Sequence, residues 1–189
     1  MIRALEFFGL CQPYRQALVS SIVRVNHAGE LAADQIYAGQ SKVLAGTEVG
    51  PVIQEMWDEE KEHLQITERY LAKYEVGPTV FTPLFKSMAF GLGVGTALMG
   101  KESAMACTIA VEELIGKHYN EQIRKLIELG TDDEDSRELL RLIRKMRDDE
   151  LHHHDTGIEY HGLNAPFYQN LKWVIQTGCK AAIWTAERV

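Results

Sequence analysis

The sequence predicts an all-α protein, a four-helix bundle with a two-metal core plus two additional apolar helical segments, and three observations carry that reading. Two segments ninety residues apart share one layout: Ile53, Met56, Asp58, Glu60, His63 and Tyr70 in one, Ile143, Met146, Asp148, Glu150, His153 and Tyr160 in the other. Each contains Glu-x-x-His. Upstream of each lies a further glutamate, Glu30 or Glu112, followed seven residues later by Tyr37 or Tyr119. The apolar residues around all of them recur at helical spacing.

A bare Glu-x-x-His is expected by chance roughly 0.7 times in a chain with this much Glu and His, so the shared flanks are what give the pair its weight. A duplicated helix pair, each copy supplying one Glu and one Glu-x-x-His, is the ligand set of ferritin-like bundles that hold two carboxylate-bridged metals.

Taken in order, Pro13 can start a helix that runs to Ala45, with Gly46 as its stop. Pro51 can start a second, ending near Tyr74 before Gly77-Pro78. An apolar stretch from Thr79 to Gly100 follows. A third long helix is expected from Lys101 to Leu129, and acidic Thr131-Asp132-Asp133 leads into a fourth ending near Gly162. An apolar C-terminal helix over 166–187 closes the chain, which reads as a single domain, 1–189.

Residues three and four apart share a helix face, and each bundle helix has a consistent stripe. These are Val19, Val23, Asn26, Glu30, Ala33 and Tyr37; Ile53, Met56, Glu60, His63, Thr67 and Tyr70; Met105, Thr108, Glu112, Ile115 and Tyr119; and Ile143, Met146, Glu150, His153, Gly157 and Tyr160. An uncompensated carboxylate in such a core costs several kcal/mol. Four ionised glutamates carry −4 and two divalent metals +4, so the site balances when neutral His63 and His153 complete the coordination. The competing reading puts these acids on a solvated face, which their apolar flanks disfavour.

The remaining polar residues are read more plainly. His152 and His154 point to other faces, and Asp58, Glu59, Glu62, Glu113 and Asp149 belong to the solvent side or just outside the ligands. His27, His118 and Asp155 are the better candidates for that outer layer. A metal-bound imidazole usually donates its second N–H to a carboxylate, and Asp34 is taken as a partner for His63 or His153.

A formal charge of −7 excludes a nucleic-acid binder, which needs a basic surface. Cys11, Cys107 and Cys179 are odd in number and far apart, which fits buried thiols in a reducing compartment. The first 25 residues carry Arg3, Arg15 and Arg24 against only Glu6, and residues 1–12 are read as a presequence remnant.

The stretch from Thr79 to Gly100 has Lys86 as its one charge, and its uncharged run from Ser87 to Gly100 is 14 residues long with four glycines. That is too short to span a bilayer. Two readings stand: a membrane-interfacial or re-entrant element with Phe81, Phe85 and Phe90 in contact with lipid and Lys86 and Lys101 near headgroups, or an apolar crossover within the bundle. Trp173, Val174, Ile175 and Trp184 in the last segment can extend the same surface.

These residues closely resemble the demethoxyubiquinone hydroxylase family of ubiquinone biosynthesis. The likeness runs from about Arg15 to the end. It rests on RVNHAGELAADQIYAGQ around Glu30, MWDEEKEHL around Glu60 and His63, GKESAMACTIAVEELIGKHYNEQ around Glu112, and RDDELHHHD around Glu150 and His153. The eukaryotic branch fits best, and all six ligand positions of the family are filled by the expected residue types. No function is carried over for the loop from Leu129 to Arg137.

The resemblance implies a di-iron monooxygenase attached peripherally to the matrix side of the mitochondrial inner membrane. It implies a polyprenylated demethoxybenzoquinone or quinol as substrate, dioxygen as co-substrate, and a lipid-binding partner protein of the same pathway within a larger biosynthetic complex. Glu60 and Glu150 would bridge two irons, Glu30 and Glu112 would be terminal ligands, and His63 and His153 would each supply one nitrogen. Tyr119 and His118 could relay electrons or protons from NADH or a quinol; core packing is the plainer role for both. No Gly-x-Gly-x-x-Gly fingerprint is present. Two other classes use the same residues: an iron oxidation, storage or peroxide-handling protein, and a non-catalytic membrane or lipid-carrier component with structural metals.

Overall fold

A computed structural model describes residues 2–130 and 133–189, with side chains from residue 13 onward. Its elements are α1 (Ile2–Leu44), α2 (Gly50–Lys73), α3 (Thr82–Leu98), α4 (Lys101–Leu129), α5 (Glu134–Glu159), a 3-10 turn at Gly162–Asn164, and α6 (Tyr168–Ala186), with no strand among the described residues. The charges Arg3 and Glu6 behind the presequence reading, the Cys11 thiol and the Thr131-Asp132 lead-in lie outside the described residues or side chains.

One boundary differs from expectation. Helical backbone continues from Ile2 through Pro13, which lies inside α1 instead of starting it. A proline disturbs the turn before it by losing one N–H. Ala4, Leu5, Glu6 and Leu10 upstream are good helix formers, so the helix persists on that side.

The other starts and stops follow the sequence. Pro51 sits in the first turn of α2 and Pro83 in that of α3. Gly130 ends α4 with φ of 87°, a conformation glycine adopts without a Cβ clash. Asp133 caps α5 by accepting from the Ser136 amide at 2.8 Å. Arg15 of α1 holds this corner together: it pairs with Asp133 and donates to the carbonyls of Leu129 and Gly130, at 3.2 and 2.9 Å, at the end of α4.

Four helices surround one core. Gln40 of α1 donates to the Ala104 carbonyl of α4, while Gln122 of α4 donates to Asn26 of α1, so these helices run antiparallel. Tyr37 touches Met56 and Val23 packs near Leu71, which makes α1 and α2 antiparallel. Tyr70 with Glu138, and His153 with Glu59, set the same relation for α2 and α5. Arg147 with Asn120, and Gly157 against Ile109, set it for α4 and α5. One apolar layer is built around Ile22, Ile123, Leu139 and Ile143, the other around Leu44, Ile53, Met56 and Met105. The polar ligand candidates lie between the two layers along every one of the four helices.

That arrangement explains α3. The end of α2 lies beside Val23 and the start of α4 beside Gln40, so the chain must travel back along α1 before α4 can begin. Helix α3 makes the journey as a crossover packed on α1. A Cβ at Gly93 would stand 2.1 Å from the Ile36 carbonyl oxygen, and one at Gly39 2.5 Å from that of Phe90. The two glycines therefore allow a backbone approach that any side chain would block, and this contact holds as a helix a segment whose glycines would weaken it alone.

The outer faces of α3 and α6 remain apolar and uncovered: Met88 is 63 % exposed, Trp173 69 % and Phe167 83 %. No helix among the described residues is long and apolar enough to cross a membrane. Lys101, expected near headgroups, pairs with Glu48. Cys107 is buried and Cys179 partly so, both as free thiols.

Candidate metal centre

Helix periodicity aims Glu30, Glu60, His63, Glu112, Glu150 and His153 inward, and all six are buried. Oxygen and nitrogen atoms of Glu30, Glu60, His63 and Glu150 lie within 4.8 Å of one another, and so do those of Glu60, Glu112, Glu150 and His153. Glu60 and Glu150 belong to both groups. His63 Nδ1 is 3.4 Å from Glu30, 3.9 Å from Glu60 and 3.7 Å from Glu150. His153 Nδ1 is 3.0 Å from Glu60 and 3.5 Å from Glu150.

Several of the inward atoms crowd together without being aligned for a hydrogen bond. Glu30 Oε2, both Glu60 oxygens, Glu150 Oε2, His63 Nδ1 and His153 Nδ1 are all buried and unpaired. Buried polar atoms are rarely left so, and a converging set of carboxylate oxygens and imidazole nitrogens is the donor set of a divalent transition metal. Burial drives Glu60 and Glu112 well above the usual carboxylate range, with Glu150 and other carboxylates adding to the shift. Glu150 is raised by burial too, partly offset by His153. Burial alone would depress the imidazoles, but the surrounding carboxylates outweigh it and push His63 up to about 10 and His153 to about 9. The cluster therefore draws positive charge, whether as protons or as metal.

The outer atoms are held in a swapped pattern. Asp149 of α5 lies 3.0 Å from His63 Nε2 on α2, and Glu59 of α2 lies 2.7 Å from His153 Nε2 on α5. Each imidazole is thus gripped by the acid preceding the opposite helix's Glu-x-x-His, which leaves Nδ1 to face inward. The tyrosines repeat the exchange: Tyr37 donates to Glu112 Oε1 at 3.0 Å, and Tyr119 donates to Glu30. Burial and the nearby carboxylates raise both phenols well above their ordinary value, so they stay protonated donors.

This corrects the expected outer layer. Asp34 accepts from the Trp57 indole at 2.8 Å and touches neither histidine. Asp155 is exposed beside His154. His27 and His118 are outside both ligand groups, each with one buried ring nitrogen unpaired. The acids that do the work, Glu59 and Asp149, each sit directly before a Glu-x-x-His, a signal that was present in both repeats.

An apolar cavity of about 450 Å³ lies between α1, α3, α4 and α6. Its floor includes Gly29, Ala33 and Val111, sequence neighbours of Glu30 and Glu112, and its walls come from α3 and α6, including Phe85, Leu92, Val174 and Ile183. A recess of about 20 Å³ adjoins it and is lined by Asn26, His118 and Tyr119 among others. Val25, Gly29, Ile115 and Ile183 line both spaces.

Comparison with known proteins agrees with the motifs. Residues 17–186 match the family described as Ubiquinone biosynthesis protein COQ7. The NADPH-dependent 3-demethoxyubiquinone 3-hydroxylase, mitochondrial, of Caenorhabditis elegans is 61 % identical over 175 residues, covering 93 % of this chain and 92 % of the relative. The protein of the same name from Homo sapiens is 54 % identical, covering 92 % and 79 %. The 3-demethoxyubiquinol 3-hydroxylase of Rhodospirillum rubrum is 38 % identical, covering 94 % and 81 %. The animal relatives' names put NADPH where the sequence suggested NADH or a quinol.

Proposed function

This chain belongs to the COQ7 family of ubiquinone biosynthesis proteins, and from that premise we propose that it is a monooxygenase that hydroxylates the ring of a polyprenylated demethoxybenzoquinone or its quinol. The reaction uses a pair of irons, dioxygen and, by analogy with the animal relatives, NADPH. The observation that carries this reading is the double membership of Glu60 and Glu150 in two sets of unpaired ligand atoms beside an apolar cavity. On a ferritin-like bundle Glu30, Glu60, Glu112, Glu150, His63 and His153 would together hold the two irons, with Glu60 and Glu150 shared between the two groups. Iron held there supplies dioxygen activation, for which an oxygen-rich site with imidazole is suited.

The chain's own groups do the rest. The cavity takes the isoprenoid tail and excludes water from the ring. Tyr119 holds Glu30 and stands where it can pass a proton between that carboxylate and the ring, and His118 lies one residue away on the recess. With no dinucleotide fingerprint in the sequence, NADPH binds by another geometry or delivers electrons through a partner.

The uncovered apolar faces of α3 and α6 support a peripheral seat on the matrix side of the mitochondrial inner membrane. That seat lets a lipid-binding partner within a larger biosynthetic complex hand over so apolar a substrate. Iron storage or peroxide handling has no use for such a cavity. A purely structural metal site has no need for one beside its ligands.

Iron loading under anaerobic conditions, Mössbauer spectroscopy, and turnover with NADPH, a demethoxyquinone and oxygen-18 test the proposal. Expected are about two coupled irons per chain and oxygen-18 in the new ring hydroxyl, with Glu112→Ala abolishing product while membrane binding is kept. Iron oxidation without ring hydroxylation would move the reading to iron or peroxide handling, and product formation by Glu112→Ala would sink the di-iron mechanism.

A further inference from the structure

The recess beside the cavity has a mostly apolar wall, like the cavity itself, but Asn26, His118 and Tyr119 stand in it. Its volume of about 20 Å³ has room for one water-sized group. Gln122 donates to Asn26 Oδ1 at 2.7 Å, which fixes the Asn26 amide and leaves its N–H donors uncommitted. His118 Nε2 is buried without a partner. Burial lowers His118 below its ordinary value, so the ring is neutral and offers one donor and one acceptor. Tyr119 also lines the recess, but its hydroxyl is committed to Glu30. One buried imidazole nitrogen without a partner and an amide with free N–H donors thus meet in a space that adjoins the apolar cavity and stands one tyrosine away from a metal-ligand candidate.

We propose that this recess receives a ring oxygen of the substrate, hydrogen-bonded by Asn26 and His118, so that the quinone ring is oriented beside Tyr119 and Glu30 while the tail fills the cavity between α3 and α6. The assignment rests on the quinone-hydroxylase reading and deepens it. It makes the site selective for an oxygenated ring: an isoprenoid of the same shape without ring oxygens enters the cavity but leaves Asn26 and His118 unpaired, which is the kind of discrimination a polar group built into an apolar pocket provides. Removal of either side chain weakens ring binding and leaves tail binding alone.

The test uses the iron-loaded full chain and two probes of equal tail length, a geranyl-substituted methoxy-1,4-benzoquinone and geranylbenzene. The unaltered chain is expected to bind the quinone at least about tenfold more tightly. Asn26→Leu and His118→Phe should each reduce quinone affinity about tenfold with geranylbenzene affinity and iron content unchanged, and His118→Gln, which keeps hydrogen-bonding capacity, should recover part of the loss. Equal affinity of the unaltered chain for both probes overturns the proposal and needs no variant to fold. So does parallel loss of both probes in the variants. If the quinone is hydroxylated with full efficiency by both variants, the recess assignment fails and the hydroxylase reading survives. If the quinone binds selectively through Asn26 and His118 but is never hydroxylated, the recess stands as a quinone site and the hydroxylase reading fails.

Discussion

Asp149, on α5, lies 3.0 Å from Nε2 of His63 on α2, so the imidazole that faces the carboxylate cluster is oriented by the neighbouring helix and not by its own. Glu59 does the same for His153 in the opposite direction. Both acids are at least partly open to solvent, so their role is to hold the ring nitrogen and tautomer, while the buried carboxylates supply the charge.

Asp149→Ala and Glu59→Ala are therefore expected to lower metal affinity by about 10- to 100-fold each, the usual effect of removing an acid that orients a ligating histidine. Competition between the protein and a chelator for ferrous or cobaltous ion measures it. Lys145→Ala removes the other partner of Asp149 and should change affinity far less, since that pair is largely exposed.

Tyr37→Phe and Tyr119→Phe each remove the donor to a buried carboxylate, Glu112 and Glu30 respectively. Losing one partner of a buried polar pair costs about 1–3 kcal/mol, and denaturant unfolding of the metal-free protein should show it for both. If the two variants differ grossly, the paired roles inferred for the tyrosines are wrong.

Metal-free stability should fall as pH rises from 6 to 9. The folded chain keeps protons on His63 up to about 10 and on His153 up to about 9, while the unfolded chain releases them near 6.5. Glu60, Glu112 and Glu150 are raised as well, so the native state binds more protons than the unfolded one and the slope of stability with pH is negative. Metal must displace those protons, so its affinity should rise over the same range. Thermal unfolding with and without metal, and calorimetric titration in buffers of different ionisation enthalpy, report the two trends.

Gly93 and Gly91 lie two residues apart on α3 and should respond oppositely to alanine. A Cβ at Gly93 meets the Ile36 backbone at 2.1 Å, whereas one at Gly91 meets nothing within 4 Å. Gly91→Ala should stabilise by up to about 1 kcal/mol through helix propensity. Gly93→Ala should destabilise by about 1–3 kcal/mol, because overpacking against backbone outweighs that gain. Chemical denaturation of the two variants decides it, and quinone binding should weaken only in Gly93→Ala, whose shifted α3 walls the cavity.

The chain's sequence by itself determined the helices, their inward faces and all six ligand candidates, because a period near 3.6 reports which residues share a face and because acids and histidines among apolar residues demand compensation. Periodicity carries no information about which helix stands opposite. Only the tertiary structure decided that Tyr37 serves Glu112 and Tyr119 serves Glu30, that Asp149 and Glu59 orient the histidines while Asp34 binds Trp57, and that the glycine-rich segment after α2 returns along α1 as a crossover. The side-chain pairings come from antiparallel packing of residues up to ninety or so positions apart, and the crossover from α3 running parallel to α1, with register set by how side chains and close backbone contacts fit together across helices. A single strand of sequence cannot state that fit, although the repeated acid before each Glu-x-x-His and the tyrosine seven residues after each upstream glutamate were its visible traces.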